Sequence, residues 1–192
     1  MIRSFLAIDL PLELKKKLSA LNTINIPSSL KIKWVEEKNF HLTLKFFGNI
    51  SENFLEKLYK RTQKAVKDFP FIELRIKKTG FFPEKGLPRV VWIGLDSQDD
   101  ILLKLYKTLE KEFKKLKIKS SKEAFHPHIT LFRIKSIGNL KEFNAYFEAL
   151  SKNAISLEGF SFQVKELTFF KSTLYSTGPV YQPMYKVPLK IA

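Results

Sequence analysis

Two of the three histidines in this 192-residue chain stand in the same local pattern. His41-Leu42-Thr43-Leu44 and His128-Ile129-Thr130-Leu131 each alternate a polar with an aliphatic side chain. On a β-strand, residues i and i+2 face the same side, about 6.5–7 Å apart. Each pattern therefore presents an imidazole and a hydroxyl on one face and two aliphatic groups on the other. If the two copies confront each other, the space between them holds two imidazoles and two hydroxyls. Imidazoles titrate near pH 6.5, so at neutral pH one can give a proton while the other takes one. Hydroxyl donors and surplus positive charge suit a phosphate held between them.

The two patterns belong to an internal repeat. Arg3–Leu10 resembles Arg89–Asp96 at an offset of 86, the His-x-Thr segments match at 87, and Ile72–Lys77 with Phe81-Phe82 matches Phe160–Lys165 with Phe169-Phe170 at 88. Each copy reads strand, helix, strand, helix, strand, because the repeated blocks are β-branched or aromatic runs and the segments between them have helical spacing. Pro11 opens the first helix, and Ser51 and Ser97 cap the second and third. Asn139 with Glu142 resembles a capping box for the fourth. Short strands are expected at Ile32–Val35, Leu174–Val180 and Met184–Pro188, and an exposed loop at Gly80–Pro88. Asp99-Asp100 reads as the acidic first turn of the third helix. Two copies are too few for a solenoid. The expected architecture is α+β, one bilobal domain over residues 1–192 with copies at about 3–82 and about 89–170, related by a pseudo-two-fold axis.

Composition removes several classes of function. There is no cysteine, which excludes disulfide scaffolds, zinc ribbons and thiol nucleophiles. With three histidines in all, a metal site built on several of them is nearly excluded, so no metal is expected. Lys and Arg number 34 against 19 Asp and Glu, a net charge of +15, which points to a polyanionic partner such as RNA. The cluster Lys111, Lys114, Lys115, Lys117 and Lys119 is either part of that footprint or the solvated end of a helix. No uncharged apolar run approaches membrane-spanning length, and Met1–Leu10 lacks the pattern of a secretory signal, so a cytoplasmic protein is expected. No Walker-type loop or lysine-based nucleotidyl motif is evident, which argues against an ATP-dependent ligase.

The segments His41-Leu42-Thr43-Leu44-Lys45-Phe46-Phe47-Gly48 and Phe125-His126-Pro127-His128-Ile129-Thr130-Leu131-Phe132-Arg133 resemble the paired HXTX signatures of the 2H phosphoesterases. The likeness is closer to the bacterial and archaeal RNA 2',3'-cyclic phosphodiesterases, once named 2'-5' RNA ligases, and it extends over essentially the whole chain. The resemblance implies a bilobal LigT-like fold with antiparallel sheets lining a central cleft, and hydrolysis of an RNA 2',3'-cyclic phosphate end to a 2'-phosphomonoester without a cofactor. It implies His41 as proton donor to the departing 3' oxygen and His128 as proton acceptor from water. Thr43 and Thr130 would hold the non-bridging oxygens, and Arg133 would contact the phosphate. Run backwards with an RNA 5'-hydroxyl, the same chemistry forms a 2'-5' linkage without ATP. The expected partner is RNA with a cyclic phosphate end, tRNA fragments among the candidates, and the expected form is a monomer. His126 reads either as an RNA contact or as a surface residue. Phe82 reads either as a stacking face for the terminal base or as core, one of Phe81 and Phe82 being expected to pack inward. Two rivals remain: a relative acting on another small cyclic phosphate, and a module that binds RNA ends without turnover.

Overall fold

The structure is a computed structural model and describes residues 1–121 and 123–190. The first copy supplies β1 (Ile2–Asp9), α1 (Leu12–Ala20), β2 (Leu30–Trp34), β3 (His41–Ile50), α2 (Glu52–Val66) and β4 (Ile72–Phe82). The second supplies β5 (Val90–Ser97), α3 (Ile101–Lys115), β6 (His128–Ile137), α4 (Leu140–Ala154), β7 (Ser161–Val164), β8 (Glu166–Leu174) and β9 (Pro179–Pro188). Ser51 accepts the Phe54 N–H at 3.2 Å and Asn139 accepts those of Lys141 and Glu142, satisfying donors that a helix start leaves orphaned.

All described strand pairings are antiparallel, in the order β7-β4-β5-β6-β3-β1-β8-β9, with β2 on β6. β3 and β6 meet in one residue pair, Leu42↔Ile129. The seam thus runs between the two His-x-Thr segments. On either side of it the sequence copies do not stay apart. β4 of the first copy pairs with β5, and β8 of the second copy pairs with β1. Each lobe therefore includes a strand from the other half of the chain.

Strand alternation sorts the side chains into two layers. Ile2, Leu6 and Ile8 of β1, Leu42 and Leu44 of β3, and Ile129 and Leu131 of β6 join the buried faces of all four helices in the main core. The opposite face of β1 puts Phe5 and Ala7 into a small separate cluster with Phe170 and Tyr181. β3 and β6 have the same residue-by-residue burial pattern along their ten positions, so the repeat persists in packing as well as in sequence.

Several local expectations change. Leu174–Val180 is not a strand of its own: Leu174 ends β8, Pro179 and Val180 begin β9, and residues 175–178 make the turn, with Tyr175 and Gly178 bonded to each other across it. β4 continues through Gly80–Phe82, paired to Val90–Trp92, so the loop starts at Pro83. Asp99 and Asp100 lie ahead of α3 with φ of 52° and 54°, in a left-handed turn that Asp tolerates. Ser97 still reaches past this turn to the Leu102 N–H at 3.0 Å. Glu142 bonds the Ser29 hydroxyl and the Asn139 amide, so the reciprocal half of the capping box is absent. The lysine run from Lys111 follows α3, whose buried face belongs to the helix-side core, away from the histidine face.

Candidate active site

The antiparallel pair Leu42↔Ile129 sets the two motifs side by side, and His41, Thr43, His128 and Thr130 line one cavity of about 370 Å3. Arg133, Lys33 and Lys135 give it positive charge, while Trp34, Phe46 and Tyr181 form aromatic walls. No helix among the described residues is long and apolar enough to cross a membrane, and no group of three or more potential metal ligands occurs among them.

Both imidazoles are tethered in the same way. His41 Nδ1 lies 2.7 Å from the Asn39 carbonyl, and His128 Nδ1 lies 2.7 Å from the His126 carbonyl, two residues upstream in each case. A carbonyl oxygen only accepts, so Nδ1 carries the proton and donates it. Nε2 is then the nitrogen left to exchange a proton with substrate. In His41 it stands 3.0 Å from Thr43 Oγ1. Asn39 is itself buried and pinned, its amide donating to the Pro179 carbonyl at 2.9 Å.

The surroundings of the two rings differ. Burial lowers the His41 pKa from its ordinary value, while the Asn39 carbonyl and the Asp9 carboxylate work to raise it, and Lys15 and His128 lower it further. Burial also lowers His128; the His126 carbonyl opposes this, but the neighbouring charges of His126 and Arg133 lower it again. Asp9 is the cross-strand partner of His41, and the corresponding partner of His128 is Gly94. Phe5 packs on His41 at 4.9 Å and Tyr181 meets its edge at 5.3 Å and 88°. Phe82 meets His128 at 5.2 Å and 83°, and Trp92 stands 6.1 Å away.

The structure thus brings together the four motif residues and Arg133. It places the remaining two candidates to one side. The His126 ring lies on Trp92 at 4.5 Å and lines a separate groove with Lys77 and Lys78, so only its carbonyl serves His128. Phe82 backs His128 instead of lining the cavity, whereas Phe81 packs on Phe143 and Phe147. The aromatic face open to the cavity is Phe46, 60% exposed. Phe46 follows His41 by five residues just as Arg133 follows His128, so the repeat itself marks it. Tyr181 and Asn39 carry no such sequence signal.

The model of the LigT-like phosphoesterases matches residues 8–92 and again residues 93–181. The chain is 33% identical over 185 residues to the RNA 2',3'-cyclic phosphodiesterase of Thermotoga maritima, covering 96% of this chain and 94% of that protein. It is 36% identical over 151 residues to the enzyme of the same name from Aquifex aeolicus, covering 78% and 77%. Among solved structures, Thermus thermophilus TT0787 superposes with a TM-score of 0.79 at 25% identity over 99% of both chains. Escherichia coli LigT complexed with 3'-AMP superposes with a TM-score of 0.76 at 27% identity over 98% of both. A family model that matches twice, once on each copy of the repeat, leaves one assignment: the chain belongs to the LigT-like phosphoesterases.

Proposed function

We propose that residues 1–192 work as one catalytic unit, an RNA 2',3'-cyclic phosphodiesterase that leaves a 2'-phosphomonoester. The observation that carries this reading is the matched pair of imidazoles, each held through Nδ1 by a main-chain carbonyl and lining one cavity with two threonines and an arginine. The names of the relatives support the substrate class.

In this reading the cyclic phosphate sits between Thr43 and Thr130, with Arg133 on its non-bridging oxygens. His128 Nε2 takes a proton from water as the water oxygen bonds to phosphorus. The P–O3' bond breaks on the opposite side, and His41 Nε2–H gives its proton to O3'. The phosphate stays on O2' and the 3'-hydroxyl is released. The assignment of acid and base follows the match of the two motifs to the family, and the unlike neighbours agree with it: a carboxylate stands beside His41, and a guanidinium near His128. No step needs a metal. Phe46, rather than Phe82, offers the terminal base a stacking face. Replacing water by an RNA 5'-hydroxyl and reversing the steps gives 2'-5' ligation without ATP. A monomer suffices, because one chain carries both motifs.

The test is to incubate an RNA ending in a 2',3'-cyclic phosphate with the protein and EDTA, then identify the terminal isomer. A 2'-phosphate is expected. His41→Ala and His128→Ala should each reduce turnover about 10²–10⁴-fold, and the double variant should fall little below the worse single one. His126→Ala should cost far less, since its carbonyl remains. Binding without turnover, dependence on a divalent ion, or a 3'-phosphate product would refute the reading.

A further inference from the structure

Tyr181 on one wall of the cavity stands in a row of residues that leads to the outer end of β1. There Arg3 of β1 faces the same side as Phe5, because the two are separated by one alternation of the strand. Arg3 pairs across with Ser172, and Ser172 pairs across with Tyr181, so the three form one row over adjacent strands. Tyr181 lines the cavity, and Lys135 stands on its far wall, two residues past Arg133 on β6. Burial raises the Tyr181 phenol, while the Arg133 and Arg3 guanidiniums oppose that rise, which is the electrostatic mark of two cations near one hydroxyl.

These cations are not spent on carboxylates. Among the described residues, none of the ion pairs includes Arg3, Lys33, Arg133 or Lys135. Glu36 is the one carboxylate lining the cavity among those residues, and Lys38 holds it at 3.1 Å. With 34 Lys and Arg against 19 Asp and Glu many cations lack an acidic partner; what distinguishes Lys33, Arg133 and Lys135 is that they line one cavity. The cations that line the cavity, with Arg3 near Tyr181, repel one another, and a second anion would relieve that repulsion.

We propose that Arg3 and Lys135, together with the Tyr181 hydroxyl, form a second phosphate subsite that takes the phosphodiester on the 5' side of the terminal nucleotide. This rests on the reading of the cleft as a cyclic phosphodiesterase site and deepens it. The enzyme then selects the ends of RNA strands over free cyclic mononucleotides, because only a strand end carries a phosphate at that distance from the cyclic one. Arg3 supplies a planar fork for two phosphate oxygens, and Lys135 a single charge.

The experiment compares kcat/KM for three substrates. They are adenosine 2',3'-cyclic phosphate, the ApA dinucleotide with the same cyclic end, and that dinucleotide with a neutral methylphosphonate linkage. The wild-type protein should prefer the charged dinucleotide over the mononucleoside by about 10-fold or more, the scale of one charge-assisted hydrogen bond. The neutral dinucleotide should behave like the mononucleoside. Arg3→Gln should collapse the ratio toward one, Arg3→Lys should restore part of it, and Lys135→Gln should lower it too. The salt dependence of the charged substrate should weaken by about one phosphate contact in Arg3→Gln. A wild-type ratio near one, a neutral dinucleotide as good as the charged one, or an Arg3→Gln loss equal on all three substrates would overturn the subsite while leaving the cyclic phosphodiesterase reading intact. Failure of the wild-type protein to open any of the three overturns both.

Discussion

Replacing Asp9 by Asn removes one negative charge from beside His41 and, with it, the ion pair to Lys15. Asp9 Oδ1 accepts the Leu10 N–H at 3.0 Å, and an Asn side chain keeps that acceptor. Cross-strand partners place their side chains about 5–6 Å apart. Two unit charges at about 6 Å interact by about 0.7 kcal/mol at the dielectric of water and about 2.8 kcal/mol at an effective value of 20. The Asp9 side chain is 49% exposed and already pairs with Lys15 at 2.6 Å, so the lower part of that range applies. Loss of the carboxylate also leaves Lys15, 11% exposed, unopposed next to the ring, and that acts in the same direction. The His41 pKa should therefore fall by about 0.5–1 unit, or about 0.7–1.4 kcal/mol. As the acid, His41 must be protonated, so the basic limb of the kcat/KM profile moves to lower pH by that amount. Above the limb the variant should lose about 3–10-fold, and at the plateau almost nothing. Lys15→Met should move the same limb upward, and high salt should shrink both shifts. The assay is the pH profile on adenosine 2',3'-cyclic phosphate. If His41 were the base, Asp9→Asn would instead extend activity at low pH, and that result would refute the assignment of roles.

Two further expectations concern neighbouring positions. Arg133→Ala should lower kcat/KM about 10–100-fold on the mononucleoside substrate, and Arg133→Lys should recover only part, since an ammonium cannot replace a bidentate fork; an unaffected Arg133→Ala would mean that the threonines and main chain hold the phosphate alone. Gly80→Ala should destabilise the fold by about 1–3 kcal/mol, because its Cβ would enter the six-membered ring of Trp92, a buried side chain. Thermal unfolding should show this as a Tm drop of several degrees, with partial relief in Gly80→Ala/Trp92→Phe; an unchanged Tm would mean that the indole has somewhere else to go.

The repeat made the essentials legible. Alternation in His41–Leu44 and His128–Leu131 fixed which face each residue takes, and equal spacing in both copies implied that the faces meet. Helix periodicity placed the inward residues of α1 to α4, such as Leu14, Leu55, Leu105 and Phe143, because burial follows the 3.6-residue stripe. What stayed hidden depends on pairing between distant strands. The exchange of β4 and β8 between lobes has no local signal. Tyr181 reaches His41 only because β9 folds back on β8, which lies beside β1. Phe82 looked available for stacking until Trp92, ten residues on and on the paired strand, covered it. The left-handed Asp99-Asp100 turn reads as a helix start in sequence because Asp favours both settings.

A duplicated motif supplies two equal imidazoles, whereas acid–base catalysis needs them unequal. The inequality arises at three places where the copies diverge. Opposite His41 stands Asp9, and opposite His128 stands Gly94, so a carboxylate favours the charged form of one ring alone. Five residues after each histidine, the first copy has Phe46 and the second Arg133, which puts a cation that lowers the His128 pKa on the strand of the ring proposed as the base. Beside each histidine, the pair Ala7–Thr168 in one lobe answers the pair Trp92–Gly80 in the other. The indole of Trp92 fills the space over Gly80, while in the other lobe Asp9, His41 and Thr168, whose buried hydroxyl has no partner, line a cavity of about 230 Å3. A polar cavity of that size admits water. The two rings thus differ in packing: Phe5 and Tyr181 lie against His41, whereas Phe82 and Trp92 face His128. In the proposed mechanism the scaffold's symmetry aligns the two nitrogens on one phosphate, and the unlike charges beside them favour His41 as the one that gives the proton.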